Sequence, residues 1–132
     1  MFDLDELKAA IAEGSVTFQP SPKKRKQLTD IWGVHYMPFV EKICARLETD
    51  DFAKRWGSEH GGNCADVYGI QADTTGANDS DEAYAFYVKL GVPPRQPLDS
   101  EKFMLSFHPT AEIFLADGIC LTTTVEGWSD DD

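Results

Sequence analysis

The side chains of this 132-residue chain that could do covalent or metal chemistry are three cysteines, Cys44, Cys64 and Cys120, and three histidines, His35, His60 and His108. A structural zinc ion takes four ligands, which usually arrive as two close pairs on converging elements. Only His60 and Cys64 lie close in sequence, in His60-Gly61-Gly62-Asn63-Cys64, and no second pair completes the set. We therefore expect no metal and no other cofactor. Cys44 falls on a helical apolar stripe and Cys120 in a strand-like run, which are positions of small buried hydrophobes. Cys64 follows a glycine-containing turn, and His108 ends a strand-like alternation. A thiol and an imidazole in that order can form a nucleophile–base pair, in which the ring accepts the thiol proton and a third polar group orients the ring.

Gly61-Gly62-Asn63-Cys64-Ala65-Asp66, together with His108 and the later Ile113-Phe114-Leu115-Ala116-Asp117-Gly118, resembles the papain-like cell-wall peptidases and amidases over a minority of the chain. The resemblance implies a cysteine hydrolase with Cys64 as nucleophile and His108 as base. The chain departs from that pattern at Pro109, directly after His108, and at Gly69 and Gly76, where the family continues a helix. The hydrolase is therefore the second of two functional expectations.

The first expectation comes from charge. The net charge is −11, and residues 1–56 contribute none of it, with nine basic and nine acidic side chains. Residues 57–132 carry three basic and fourteen acidic side chains, which is the whole imbalance. Such a field repels nucleic-acid phosphates and anionic membranes and favours partners with basic surfaces. The run Lys23-Lys24-Arg25-Lys26 reads as a solvated face or a protein contact, so nucleic acid is not an expected partner. No phosphate-binding glycine loop is present, and no apolar run approaches the ~20 residues of a membrane span. An acidic N-terminal hexapeptide is the opposite of a secretory n-region, and an odd number of cysteines suits reduced thiols. A cytoplasmic location is expected.

These residues need elements to position them. Leu4, Leu7 and Ile11 have helical spacing behind an Asp3/Glu6 start, and Gly14 stops the helix. A short strand over 16–18 precedes Ser21-Pro22, which reads as N-cap and first position of a helix through Leu28, Ile31 and Trp32 to Gly33. A third helix runs from Pro38 with Phe39, Val40, Ile43, Cys44 and Leu47 on one face, and Asp50 caps a short turn through Phe52 and Trp56. Residues 64–70 are apolar enough for a strand or a buried irregular segment. Ser80-Asp81-Glu82 starts a fourth helix with Tyr84, Tyr87 and Val88 as its stripe, ended by Gly91. Beyond Pro93-Pro94 the period becomes that of strands, and Asp117-Gly118 marks a two-residue hairpin turn with Phe114 opposite Leu121 and Leu115 opposite Cys120. Both sheet faces then carry apolar side chains, and the second needs cover from more of the chain or from a second copy.

The fold expected is α+β, a single globular domain over 1–132: N-terminal helices packed on a small C-terminal antiparallel sheet containing a 111–125 hairpin, with a mobile acidic tail over 128–132. The function expected is that of a small acidic non-enzymatic binding protein, an antagonist, immunity or assembly factor of phage or bacterial type, docking on a basic surface of a protein partner. The loop acids Asp73, Asp79 and Asp81 and the aromatics Tyr68 and Trp128 are its candidate contacts, with Cys64 and His108 the catalytic pair of the alternative. A homodimer through the two-faced sheet is a further expectation.

Overall fold

The computed structural model describes residues 4–14, 16–57, 64–92 and 103–129. Helix α1 (Leu4–Ala12) ends in the positive-φ Gly14, and α3 (Met37–Ala45) buries Val40, Ile43 and Cys44. Between them, strand β1 (Val16–Phe18) leads to α2 (Pro22–Trp32), where Ser21 Oγ accepts the Lys24 N–H, Pro22 occupies the first turn and Gly33 closes the helix. The remaining strands are β2 (Phe52–Gly57), β3 (Cys64–Ala72), β4 (Tyr84–Val92), β5 (Phe103–Thr110), β6 (Glu112–Phe114) and β7 (Cys120–Thr122).

The sheet overturns the expected fold class in size, composition and kind. It has five strands in the order β1-β5-β4-β3-β2, and the 111–125 hairpin is not among them. It is mixed, because β1 joins β5 in parallel while the other pairs are antiparallel. Two expected helical segments are strands. Tyr84, Phe86, Val88 and Leu90 alternate along β4 against Ala72, Ile70, Tyr68 and Asp66 of β3, so the period is two and the 3.6-residue stripe is a coincidence of spacing. Asp50 lies in a single 3-10 turn, Thr49–Asp51, after which β2 begins at once.

Alternation assigns the two faces. Tyr68, Val88 and Phe107 form one cross-strand row, and all three are buried with Leu7, Leu28, Val40 and Ile43 from the helices. Phe86 stacks between Trp32 (5.5 Å between ring centroids) and Phe107 (4.8 Å). Such pairs contribute about 0.5–1.5 kcal/mol beyond their burial. The opposite face carries Val67, Gly69, Tyr87 and Ala85, and its cover is the β6–β7 hairpin of the same chain: Ile113 packs with Val67 and Ala85, flanked by Tyr87 and Leu121. Thr123 Oγ1 accepts the Ala85 N–H (2.9 Å) and donates to the Thr110 carbonyl, and Gln71 Nε2 donates to the Thr122 carbonyl at 2.8 Å. The second face thus finds a cover within the chain.

The hairpin register also differs from the expected one. Phe114 faces Cys120 and Ile113 faces Leu121. Gly118 N–H donates to the Leu115 carbonyl and Leu115 N–H to the Ile119 carbonyl, so the loop is three residues, Ala116-Asp117-Gly118, with Gly118 at φ 93. A turn closed by a left-handed glycine adds one residue to the two-residue loop that Asp-Gly suggests. A one-residue slip exchanges inside for outside. Ile113 and Leu115 are buried in consequence, and Phe114 and Cys120 are exposed.

Cys120 is therefore not the buried thiol expected, whereas Cys44 is fully buried and its thiol is pushed up to about 12 by burial and by Glu41. In a Cys64→Ser background one thiol, Cys120, should titrate rapidly with a thiol reagent, and the second only once the chain is unfolded. Two fast thiols, or none, would contradict this packing.

Candidate functional site

The acids of the β3–β4 connection owe their positions to Asp73, which is 4% exposed. Its Oδ1 accepts the Thr75 N–H and hydroxyl, and its Oδ2 accepts the N–H groups of Asp79 and Ser80 at 2.9 and 3.0 Å. The Thr75 hydroxyl and these N–H donors outweigh burial and hold the Asp73 carboxyl at about 2, well below the usual carboxylate range. The loop's carbonyls are held from the helices. Trp32 Nε1 donates to the Thr74 carbonyl, Lys42 Nζ to that of Thr75 and Arg46 Nη1 to that of Gly76, each within 2.9 Å. Asp73 is thus a buried organiser of the loop, and it presents Asp79, Asp81 and Glu82, which are exposed.

The C-terminal segment joins this end of the molecule. Thr124 N–H donates to the Ala83 carbonyl, Ala83 N–H to Thr124 Oγ1, and Thr124 Oγ1 to the Asp81 carbonyl. Exposed Glu126 follows two residues on. Trp128 is half-buried and meets Tyr84 edge-on, with ring centroids 6.2 Å apart. Burial, then the charge of Glu82, pushes the Tyr84 phenol up. Between Trp128, Tyr84 and α2 lies a pocket of about 110 Å³, lined also by Gln27, Asp30 and Ile31. Trp128 and Ser129 of the expected mobile tail are thus described, and residues 130–132 lie outside the described residues.

The structure brings Asp79, Asp81 and Trp128 to one end and leaves Tyr68 elsewhere. Tyr68 is 1% exposed and packs edge-on against Phe52 at 5.7 Å, as a core residue on the helix face. Cys64 and His108 are not brought together. Cys64 stands opposite Val92 and His108 opposite Tyr87, on the two strands that flank β4 on either side and five positions apart along it. That is roughly 16 Å along the strand direction alone. The His108 ring stacks on Tyr87 at 4.9 Å, and its Nδ1 lies 2.9 Å from the Pro109 carbonyl. Residues 60–63, including His60, lie outside the described residues. Among the described residues no three His, Cys, Asp or Glu side chains converge as metal ligands, and no helix is long and apolar enough to cross a membrane.

Gln27, Asp30, Ile31, Glu82, Tyr84 and Glu126 of this end are not among the candidate contacts read from the sequence. Gln27 is polar but lies beside Leu28 and four residues before Ile31, a spacing that turns it inward on α2. Tyr84 is read as part of a helical stripe, and Glu126 becomes informative only once Thr124 is tied to Ala83. A wider depression of about 500 Å³ lies between Lys8, Arg46, Glu48, Asp51 and Leu121. Its charged groups already serve the fold: Lys8 Nζ donates to the Leu47 carbonyl, Arg46 to Gln71 and Gly76, and Asp51 Oδ2 accepts the Glu48 N–H. The acidic and aromatic end around Trp128 is therefore the candidate site. Comparison of the chain with protein-family models, with curated proteins and with solved structures finds no match.

Proposed function

We propose that the protein is a non-enzymatic binding protein, an inhibitor or assembly factor acting in the cytoplasm, that docks through this end on a basic surface of a protein partner. The observation that carries the proposal is that exposed Asp79, Asp81, Glu82 and Glu126 lie on the two segments that Thr124 ties together and on which half-buried Trp128 meets Tyr84. Acidic groups steer encounter with a basic surface, and aromatic anchors hold the complex once formed.

The partner is obtained by affinity capture from the native host and then produced pure. The Asp79→Asn/Asp81→Asn/Glu82→Gln variant should associate with it roughly tenfold more slowly at low salt, since steering raises on-rates by about 10–1,000-fold. Added salt should remove most of that difference, and the dissociation rate and thermal midpoint should change little. Association that ignores both salt and the triple replacement would reduce the acidity to a solubility feature.

A further inference from the structure

The pocket beside Trp128 holds a side chain that the fold does not use. Gln27 is only 8% exposed, it lines the pocket, and its amide has no hydrogen-bond partner among the described residues. The amide is not sealed from solvent, so a ligand group entering the pocket can reach it. The other walls narrow what that group is. Trp128 and Tyr84 offer aromatic surface, Ile31 is apolar, and Asp30 adds a carboxylate. The volume, about 110 Å³, falls short of the roughly 300–1,000 Å³ of small-molecule sites and suits one side chain.

The geometry points to this pocket as the receptor for an arginine side chain of the partner: the guanidinium lies against Trp128 and Tyr84, donates to Gln27 Oε1 and pairs with Asp30. This rests on the docking function proposed above and specifies the residue it recognises. A guanidinium is planar, stacks on aromatic faces and carries five donors, so one group can meet an aromatic wall, an amide oxygen and a carboxylate together. A lysine ammonium is a compact, strongly hydrated point charge and matches this set less well. Asp30 is paired with Lys26 at 2.8 Å, but both side chains are exposed, and an exposed pair of this kind is weak enough to be shared or exchanged. Glu82 and Glu126 lie two residues before Tyr84 and Trp128 in the chain, and the charge of Glu82 reaches Tyr84, which favours a cation there.

The test uses the full chain and needs no partner. N-acetyl-arginine amide, its lysine and norleucine counterparts and the uncharged isostere N-acetyl-citrulline amide are titrated into isotope-labelled protein. The Trp128 indole N–H and the Gln27 side-chain amide are followed by NMR. The arginine amide should shift both signals saturably at millimolar concentration, with citrulline and lysine about fivefold weaker and norleucine weaker still. Trp128→Ala should abolish the response, and Gln27→Leu should weaken it severalfold, each with the rest of the spectrum unchanged. Should Gln27→Leu disturb the fold, Asp30→Asn, on the exposed side of α2, serves in its place. Equal shifts with arginine and citrulline, equal shifts with lysine, no saturation, or a response that survives Trp128→Ala would each overturn the assignment. If the arginine probe fails while partner association stays salt-sensitive, the pocket is wrong and the acidic docking surface stands. If the probe binds and association ignores salt and the acid replacements, the docking function fails and the pocket stands.

Discussion

Gly69→Ala is expected to destabilise the folded chain by ~1–3 kcal/mol, and Gly69→Val by more, as overpacking of a close-packed contact does. Gly69 lies on β3 opposite Tyr87, on the face that the hairpin covers. A Cβ at this position would sit 2.7 Å from Ile113 Cγ2 and 2.9 Å from Leu115 Cδ2. Both neighbours are buried, and Cγ2 of a β-branched residue is fixed close to its backbone, so relief requires the hairpin itself to move. Glycine is needed here because the Ile113 and Leu115 side chains pack directly on the β3 backbone. Urea unfolding should show a lower midpoint. Hydrogen exchange should place the weakening in the hairpin, at the Leu115 N–H that bonds to Ile119, before it reaches the helix-facing core. Ile113→Ala in the Gly69→Ala background should cost less than the two single changes together, because it removes the clashing atom. Equal stability of Gly69→Ala and the natural chain would mean that the hairpin does not sit on this face.

The helices were legible because their signals are local. Ser21-Pro22 and Gly33 bound α2 as the cap chemistry dictates, and the inward residues of α3 follow a 3.6-residue stripe. The strands were not, because their assignment depends on neighbours far away in sequence. Tyr84, Tyr87 and Val88 fit a helix, and Tyr84, Phe86, Val88 and Leu90 fit a strand. With both faces of β4 covered, hydrophobicity alone does not choose between them. What decides is that β3 and β5 flank it on either side. At Asp117-Gly118 the turn was legible and the loop length was not, since the same dipeptide serves a two-residue turn and a three-residue loop closed by a left-handed glycine. The site divides in the same way. Asp79, Asp81 and Trp128 stand out as charged or aromatic residues near loops and termini. The burial of Tyr68 and Asp73 is a product of packing that no pattern within a few residues announces, whereas the inward turn of Gln27 follows from its spacing to Leu28 and Ile31.

Asp73→Asn carries the other large expected effect, a loss of about 1.5–3 kcal/mol at neutral pH, the range for hydrogen bonds to a charged group. Both carboxylate oxygens accept, Oδ1 from Thr75 and Oδ2 from Asp79 and Ser80. An asparagine keeps one acceptor and turns an NH2 toward the donors that the other oxygen served, leaving N–H groups without partners. The carbonyl contacts of Trp32, Lys42 and Arg46 with the same loop loosen in consequence. The pH dependence follows from the direction of the shift. The folded carboxyl titrates at about 2, below its unfolded value of about 3.9. Its contribution is therefore complete above roughly pH 5 and fades as pH falls through 4 towards 2. Unfolding free energies of the natural chain and of Asp73→Asn should differ fully at pH 6 and converge towards pH 2, whatever the other carboxyls do in both. A gap that stays constant over that range would show that the loop is held by something other than the Asp73 charge. The same replacement separates organisation from contact. Asp73 is buried and meets no partner, so its loss should slow association only through disorder of the loop bearing Asp79 and Asp81. Lowering the temperature, which restores the loop, should recover association in Asp73→Asn and not in the Asp79→Asn/Asp81→Asn/Glu82→Gln variant, whose loop is already ordered and whose charge is gone.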